Sequence, residues 1–283
     1  MKLLSFHIDG RDSYGLLRGD EVVDLGRRLG ERAPTLKALI ATGEWLAEAG
    51  RHATAAADHR LADLRLLPPI PQPRTIACVG HNYEAHRVET QRDPTEHPSI
   101  FFRHPESLVG SGAALLRPRE STQLDYEGEV AIVIGKAGRR IAEADAWAHV
   151  AGASCFNDGS VRDWQHHTRQ FGPGKNFANT AGFGPYLVTP DELPADRVVE
   201  LSTRVNGQEV QHARTDQMIF PIPRLIAYVS TFMTLVPGDV IVTGTPGGVG
   251  VKRDPPLWLA PGDEVEVEIS CVGLLRNPVA QEE

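Results

Sequence analysis

Residues 124–135 read LDYEGEVAIVIG and place two glutamates, Glu127 and Glu129, one residue apart at the entrance to an apolar run. On a strand, side chains alternate, so these two share a face with Ala131 and Val133, while Tyr126, Val130, Ile132 and Ile134 take the other. Both faces read as buried. Two carboxylates about 6.6 Å apart in a dry setting repel each other and lose hydration, so something positive should compensate them. A divalent cation is one compensator: hard Mg²⁺, Mn²⁺ or Ca²⁺ suits, because no Cys or His stands at a spacing that would recruit Zn²⁺. The commoner reading of an isolated E-x-E is a pair of edge-strand glutamates facing water.

A second polar cluster follows an apolar strand at 150–165, VAGASCFNDGSVRDWQ, where Asp158 sits on the strand-to-loop turn and can offer a third oxygen ligand. Asn157-Asp158-Gly159 reads equally well as an ordinary turn. A third stretch, CVGHNYEAHRVET at 78–90, carries His86 and Glu89 three residues apart. If that loop is helical the two lie side by side, and Glu89 can orient His86 as a general base; surface H-x-x-E pairs are also common without a role. In QFGPGKNFANTAGFGPYLV, Lys175 lies in a glycine- and proline-rich loop, where a fixed ammonium can bind a carboxylate or stabilise an enolate. Most loop lysines only meet water. VTGTPGGVG at 242–250 allows close backbone approach and offers the Thr245 hydroxyl, but it lacks the order of a phosphate loop.

The elements that must position these groups are mostly strands. Strands are predicted at 3–8, 75–79, 99–102, 126–134, 150–156, 198–205, 240–243, 264–269 and 272–275, with a hairpin over 14–25 turning at 18–20 and another at Asn206-Gly207. Thr35 caps a helix with Leu36, Leu39 and Ile40 on one face, alanine-rich 53–60 is a second helical candidate, and 221–235 is a third with Leu225, Ile226, Val229 and Phe232 in register. Pro68, Pro69, Pro71 and Pro73 form a stiff connector. The boundary between a small N-terminal domain, 1–70, and a larger catalytic one, 71–283, falls there, and the class is α+β.

The 283 residues are 41% hydrophobic and 23% charged, an ordinary globular composition. Acidic groups exceed basic ones to a net charge of −8, and no basic run accompanies an aromatic stripe, which argues against a nucleic-acid partner. No stretch approaches the ~20 apolar residues of a membrane span, so no membrane partner is expected. MKLLSFHIDGRD predicts no export signal, and Cys78, Cys155 and Cys271, far apart in apolar contexts, read as buried thiols of a reducing compartment, placing the protein in the cytoplasm. His166-His167 read as surface or packing residues.

In their order, IACVGHNYEAH, LDYEGEVAIVIG, NDGSVRDWQ, GKNF, the stretch 218–250 and APGDEVEVEI resemble the fumarylacetoacetate hydrolase family over about the last three quarters of the chain. The resemblance implies a mixed β-sandwich roll with a small N-terminal α/β domain, and a homodimer. It also implies Mg²⁺ or Mn²⁺ (Ca²⁺ in a crystal) on Glu127, Glu129 and Asp158, a water activated by His86 with Glu89, Lys175 assisting at an enolate, and Gln165 and Thr245 contacting the ligand. The ligand is then a small 2-oxo or β-diketo acid. The leading expectation is hydrolysis of a carbon-carbon bond in an acylpyruvate or β-diketo acid. The alternatives are a decarboxylase or isomerase of a 2-oxo acid, of the oxaloacetate or 2-hydroxyhepta-2,4-diene-1,7-dioate type, in aromatic catabolism, or a non-catalytic member, whose signature of lost ligands is absent. The chain departs from the family's common pattern at Ala178, where an aspartate is usual, at His104, and at His81 after Gly80.

Overall fold

The computed structural model describes all 283 residues. Its centre is the strand Gly128–Ile134, paired antiparallel with Val150–Asn157 on one side and with Val240–Val242 on the other. Every residue of that strand is buried, which is why it reads as a continuous apolar run rather than an alternating one. Val130, Ile132 and Ile134 face one hydrophobic cluster and Ala131 and Val133 another, as the alternation at 126–134 predicts.

These strands belong to a twelve-stranded sheet. From one edge it runs His59–Arg60, Glu21–Asp24, Arg11–Arg18, Lys2–Ile8, Ala181–Val188, Val150–Asn157, Gly128–Ile134, Val240–Val242, Ile76–Gly80 and Ser99–Arg103, with two short strands pairing off this path. The first of the two clusters is filled from a five-stranded sheet, through Leu201, Val267, Ile269 and Leu275, and from the helix Ile222–Phe232. The second joins Leu3, Leu36 and Leu39 to Phe156, Ala181 and Val242. Lys2–Ile8 pairs with Ala181–Val188 at Lys2 to Val188 and Leu3 to Leu187, so the sheet is continuous across the proline connector. The architecture is mixed α and β, two main sheets with one helix against their shared core.

Local chemistry explains the elements. Thr35 accepts from the Ala38 N–H and starts the helix Leu36–Ala41. Asn206 and Gly207 turn the hairpin with φ of 52° and 77°, the two left-handed residues that a two-residue loop requires. Three expectations fail. Residues 53–60 are not helical; the helix is Trp45–Arg51, and the carbonyls of Ala53, Ala55 and Ala56 accept from Arg18 and Arg28 instead of from a helix ladder. Phe232 ends its helix 49% exposed, outside the buried face made by Leu225, Ile226 and Val229. Cys271 is exposed in the turn after Glu264–Ile269, whereas Cys78 and Cys155 are buried.

Candidate active site

Antiparallel pairing sets Gly128 opposite Asn157 and Glu129 opposite Phe156, so Glu127 and Asp158 emerge together where the two strands end. The Asp158 N–H donates to the Glu127 carbonyl at 2.8 Å and fixes that exit. One carboxylate oxygen from each of Glu127, Glu129 and Asp158 lies within 4.8 Å of the others, and all three residues are buried. The turn at Asn157-Asp158-Gly159 therefore does deliver its carboxylate to the glutamate pair.

Cations surround two of the three acids. The Lys175 ammonium stands 2.7 Å from Glu127 Oε2 and 2.6 Å from Asp158 Oδ2. Arg162 Nη1 lies 2.6 Å from Glu127 Oε1, and Arg103 Nη1 lies 2.6 Å from Asp158 Oδ1. Burial would raise the Glu127 pKa, but Lys175 and Arg162 outweigh it and hold this carboxyl far below its usual range. Burial likewise opposes the charge on Lys175, yet Asp158 and Glu127 prevail and its pKa is raised. Glu129 differs: it makes no ion pair and accepts only the Gly244 N–H. Burial first, then Asp158 and Glu127, push its pKa well above the ordinary value. A buried carboxyl without a cation, converging with two others on one point, fits a site for a hard divalent ion.

The candidate base, His86, lines one cavity with Glu127 and Glu129. His86, on the helix Glu84–Glu89, has Nδ1 2.7 Å from Glu89 Oε1, and Glu89 Oε2 accepts the Gly248 N–H at 2.9 Å. A carboxylate can only accept, so Nδ1 carries the proton, and Nε2 is the nitrogen that can act as a base when the imidazole is neutral. Asn82 anchors the start of this segment: its amide donates to the Phe220 and Thr243 carbonyls at 3.0 and 2.7 Å. His81 stacks on His86 with ring centroids 5.1 Å apart, and burial followed by His86 pushes its pKa down to about 4.

A cavity of about 330 Å³ is lined by His86, Glu127, Glu129, Lys175, Gln165 and Thr245; Asp158 and Glu89 are off its lining and are hydrogen-bonded to Lys175 and His86. Gln165 Oε1 accepts from Arg162 at 2.9 Å. The Thr245 hydroxyl donates to the Gly128 carbonyl at 3.0 Å and accepts from Gln211 at 2.8 Å, tying the glycine loop to the glutamate strand. Of the three departures from the family pattern, His81 is on the cavity wall, whereas Ala178 and His104 are exposed and off it. His166 also lines the cavity.

Several residues escape a reading by motif. Arg162 lies in the quoted stretch 150–165 and Arg103 directly precedes His104, but nothing in their spacing marks them as partners of the acids. Asp125 accepts from Arg162 Nε at 2.8 Å and from the Gly250 N–H at 2.8 Å, so it sets the arginine that sets Glu127. Arg162 Nη2 is buried without a partner.

Comparison with known proteins adds four findings. The fumarylacetoacetate (FAA) hydrolase C-terminal family model matches residues 75–280. Oxaloacetate tautomerase FAHD2A, mitochondrial, of Homo sapiens is 41% identical over 249 residues, 87% of this chain and 79% of the relative. Oxaloacetate tautomerase YisK of Bacillus subtilis is 41% identical over 225 residues, 78% and 75% of the two chains. The solved structure of maleylpyruvate hydrolase from Sphingobium sp. SYK-6, in complex with manganese(II) and pyruvate, superposes with a TM-score of 0.83 at 29% identity, covering 100% of both chains.

Proposed function

The chain belongs to the fumarylacetoacetate hydrolase family, and from that premise we propose that it is an isomerase that interconverts the enol and keto forms of a small 2-oxo acid such as oxaloacetate. The observation that carries the reading is that His86, hydrogen-bonded to Glu89, lines one small cavity together with Glu127, Glu129 and Lys175 of the acid cluster. Two relatives named as oxaloacetate tautomerases support this reading over the hydrolysis expected from the motifs.

Glu127, Glu129 and Asp158 would hold Mg²⁺ or Mn²⁺, which when bound supplies Lewis acidity to the carbonyl oxygen and stabilises enolate charge. Arg162 Nη2, unpartnered and buried, and the Gln165 amide give the acid's carboxylate its donors. Lys175 stays cationic because its carboxylate neighbours raise its pKa, so it steadies charge rather than giving up a proton. Proton carriage therefore falls to His86: Nε2 takes the enol hydroxyl proton and returns it to the adjacent carbon, leaving the enzyme's proton count unchanged. Glu89 fixes the imidazole throughout. The second reading, hydrolysis of an acylpyruvate, rests on the same free Nε2, which can equally activate a water. We carry the homodimer and the cytoplasmic location as parts of the proposal, the first checked by light scattering and the second by fractionation.

The test follows the ultraviolet absorbance of enol oxaloacetate in Mg²⁺ or Mn²⁺ buffer. The protein should speed its decay well above the buffer rate, and His86→Ala should lower kcat by ~10²–10⁴-fold while metal binding persists. No acceleration, together with pyruvate release from an acylpyruvate, would replace the isomerase by the hydrolase.

A further inference from the structure

Gly128 stands between the two glutamates of the acid cluster, and its backbone groups have to be satisfied without a neighbouring strand. It forms a non-hydrogen-bonded pair with Asn157, as the Asp158 N–H on the Glu127 carbonyl shows, so its N–H and carbonyl turn to the opposite side. On that side the strand Val240–Val242 pairs no further than Ala131. Gln211 fills the gap. It lies on the strand Gln208–Arg214 of the five-stranded sheet and is 2% exposed. Its Oε1 accepts the Gly128 N–H at 2.9 Å, while its Nε2 donates to Thr245 Oγ1 at 2.8 Å and to the Pro246 carbonyl at 2.9 Å. The Thr245 hydroxyl donates in turn to the Gly128 carbonyl at 3.0 Å, which closes a ring. Only one orientation of the amide works: reversed, its nitrogen would meet the Gly128 N–H and its oxygen the Pro246 carbonyl. Thr203, paired with Gln211 across its hairpin, would collide with a Cβ at Gly128, so glycine is what lets the second sheet come this close.

We propose that Gln211 is a positioning residue of the metal site: by holding both polar groups of Gly128, it fixes the peptide from which the Glu127 and Glu129 carboxylates are hung. The inference rests on reading Glu127, Glu129 and Asp158 as metal ligands, and not on the choice between isomerase and hydrolase. A small hard ion such as Mg²⁺ demands oxygens at near-ideal geometry, so a rotation of the peptide between two ligands is felt at both. Lys175 and Arg162 hold Glu127 from its far end, but Glu129 has only the Gly244 N–H and depends on its own backbone for direction. Without Gln211, the Gly128 N–H has no strand to return to, and Thr245 loses the donor that sets its hydroxyl. The amide acts as a polar staple between the two sheets, placed at the one residue where its hold reaches both glutamates.

The test titrates the full chain, stripped of metal, with Mn²⁺ by calorimetry. Gln211→Met keeps the length of the side chain and removes both hydrogen-bonding groups, and it should raise the Kd for Mn²⁺ by ~10-fold or more. Leu17→Ala serves as the comparison, because Leu17 belongs to a separate cluster with Leu4, Phe6 and Val22. It should lower the melting temperature yet leave the Kd within ~2-fold, since distant sites act independently. The electron paramagnetic resonance spectrum of bound Mn²⁺, which reports ligand geometry, should change in Gln211→Met and stay as it is in Leu17→Ala. Should Gln211→Met fail to fold, Gln211→Asn decides by the same criteria, because it keeps an amide but is one methylene too short to close the ring. An unaltered Kd in the Gln211 variant, or an equal loss in Leu17→Ala, would overturn the proposal alone. No Mn²⁺ binding by the unaltered chain would overturn the metal reading and this inference with it.

Discussion

Glu129 is buried against two other carboxylates and has a single hydrogen-bond donor, the Gly244 N–H. Its raised pKa makes it a liability of the metal-free fold at neutral pH and an asset once a divalent ion is present. The sign follows from linkage. A folded-state pKa above the unfolded value means that the native chain binds the extra proton, so this contribution is full below the ordinary carboxylate pKa and is lost as pH rises through the folded one. Glu129→Gln keeps the shape and removes the charge. Metal-free, its melting temperature should therefore fall less than that of the unaltered chain as pH is raised from 5 to 8. With Mn²⁺ the order reverses: the unaltered chain gains stability by mass action, and the variant gains little. A variant that keeps the full Mn²⁺-dependent rise in melting temperature would show that Glu129 is not a ligand. At this scale the acids, His86, Glu89 and Lys175 were legible by residue type and neighbourhood. Arg103 was not, because its partner Asp158 lies 55 positions away and only the folded sheet brings them together.

Elements position these residues through close backbone approach. Gly244 has a φ of +100°, and a Cβ there would lie 2.6 Å from the Asn82 Cβ and 3.0 Å from the Val79 carbonyl oxygen. Its N–H is the donor to Glu129, and Asn82 ties the His86 segment to Thr243, so one glycine sets both halves of the site. Gly244→Ala should destabilise by roughly 2–4 kcal/mol, from left-handed strain plus a contact that backbone cannot relieve. It should also weaken Mn²⁺ binding, read by calorimetry on the fraction that remains folded. Wild-type stability and Mn²⁺ affinity in this variant would remove the loop from the site's construction. The same logic explains what the sequence concealed. The strand Ala181–Val188 contains Gly182, Gly184 and Pro185, residues poor at strand formation, yet a Cβ on Gly182 would meet the Asn277 side-chain oxygen at 2.4 Å. Packing demanded the glycine there, and local propensity could not show it. Gly128–Ile134, by contrast, is apolar on both faces and was plain as a buried strand.

At the scale of the molecule, the chain's first seventy residues are joined to the rest by a sheet and a core as well as by the proline connector. Lys2–Ile8 covers the edge of Ala181–Val188, and Leu3, Tyr14, Leu36, Leu39 and Trp45 share one cluster with Ala131, Val133, Phe156 and Val242. Ala131 and Val133 lie on the face of the strand that carries Glu129, so the N-terminal layer backs the floor of the cavity. Composition and the run of prolines predict a change of unit near residue 70 but not this shared core, because hydrophobic contacts between distant segments leave no periodic trace in either one. Deleting residues 1–70 would bare an unpaired strand edge and that apolar face together, a combination that favours aggregation. The remaining 71–283 should therefore melt without a cooperative transition, bind a hydrophobic dye in buffer, and show no Mn²⁺-dependent rise in melting temperature. A truncated chain that melts cooperatively and binds Mn²⁺ with full affinity would mean that the acid cluster is held by the later segments alone and that the N-terminal layer only shields it.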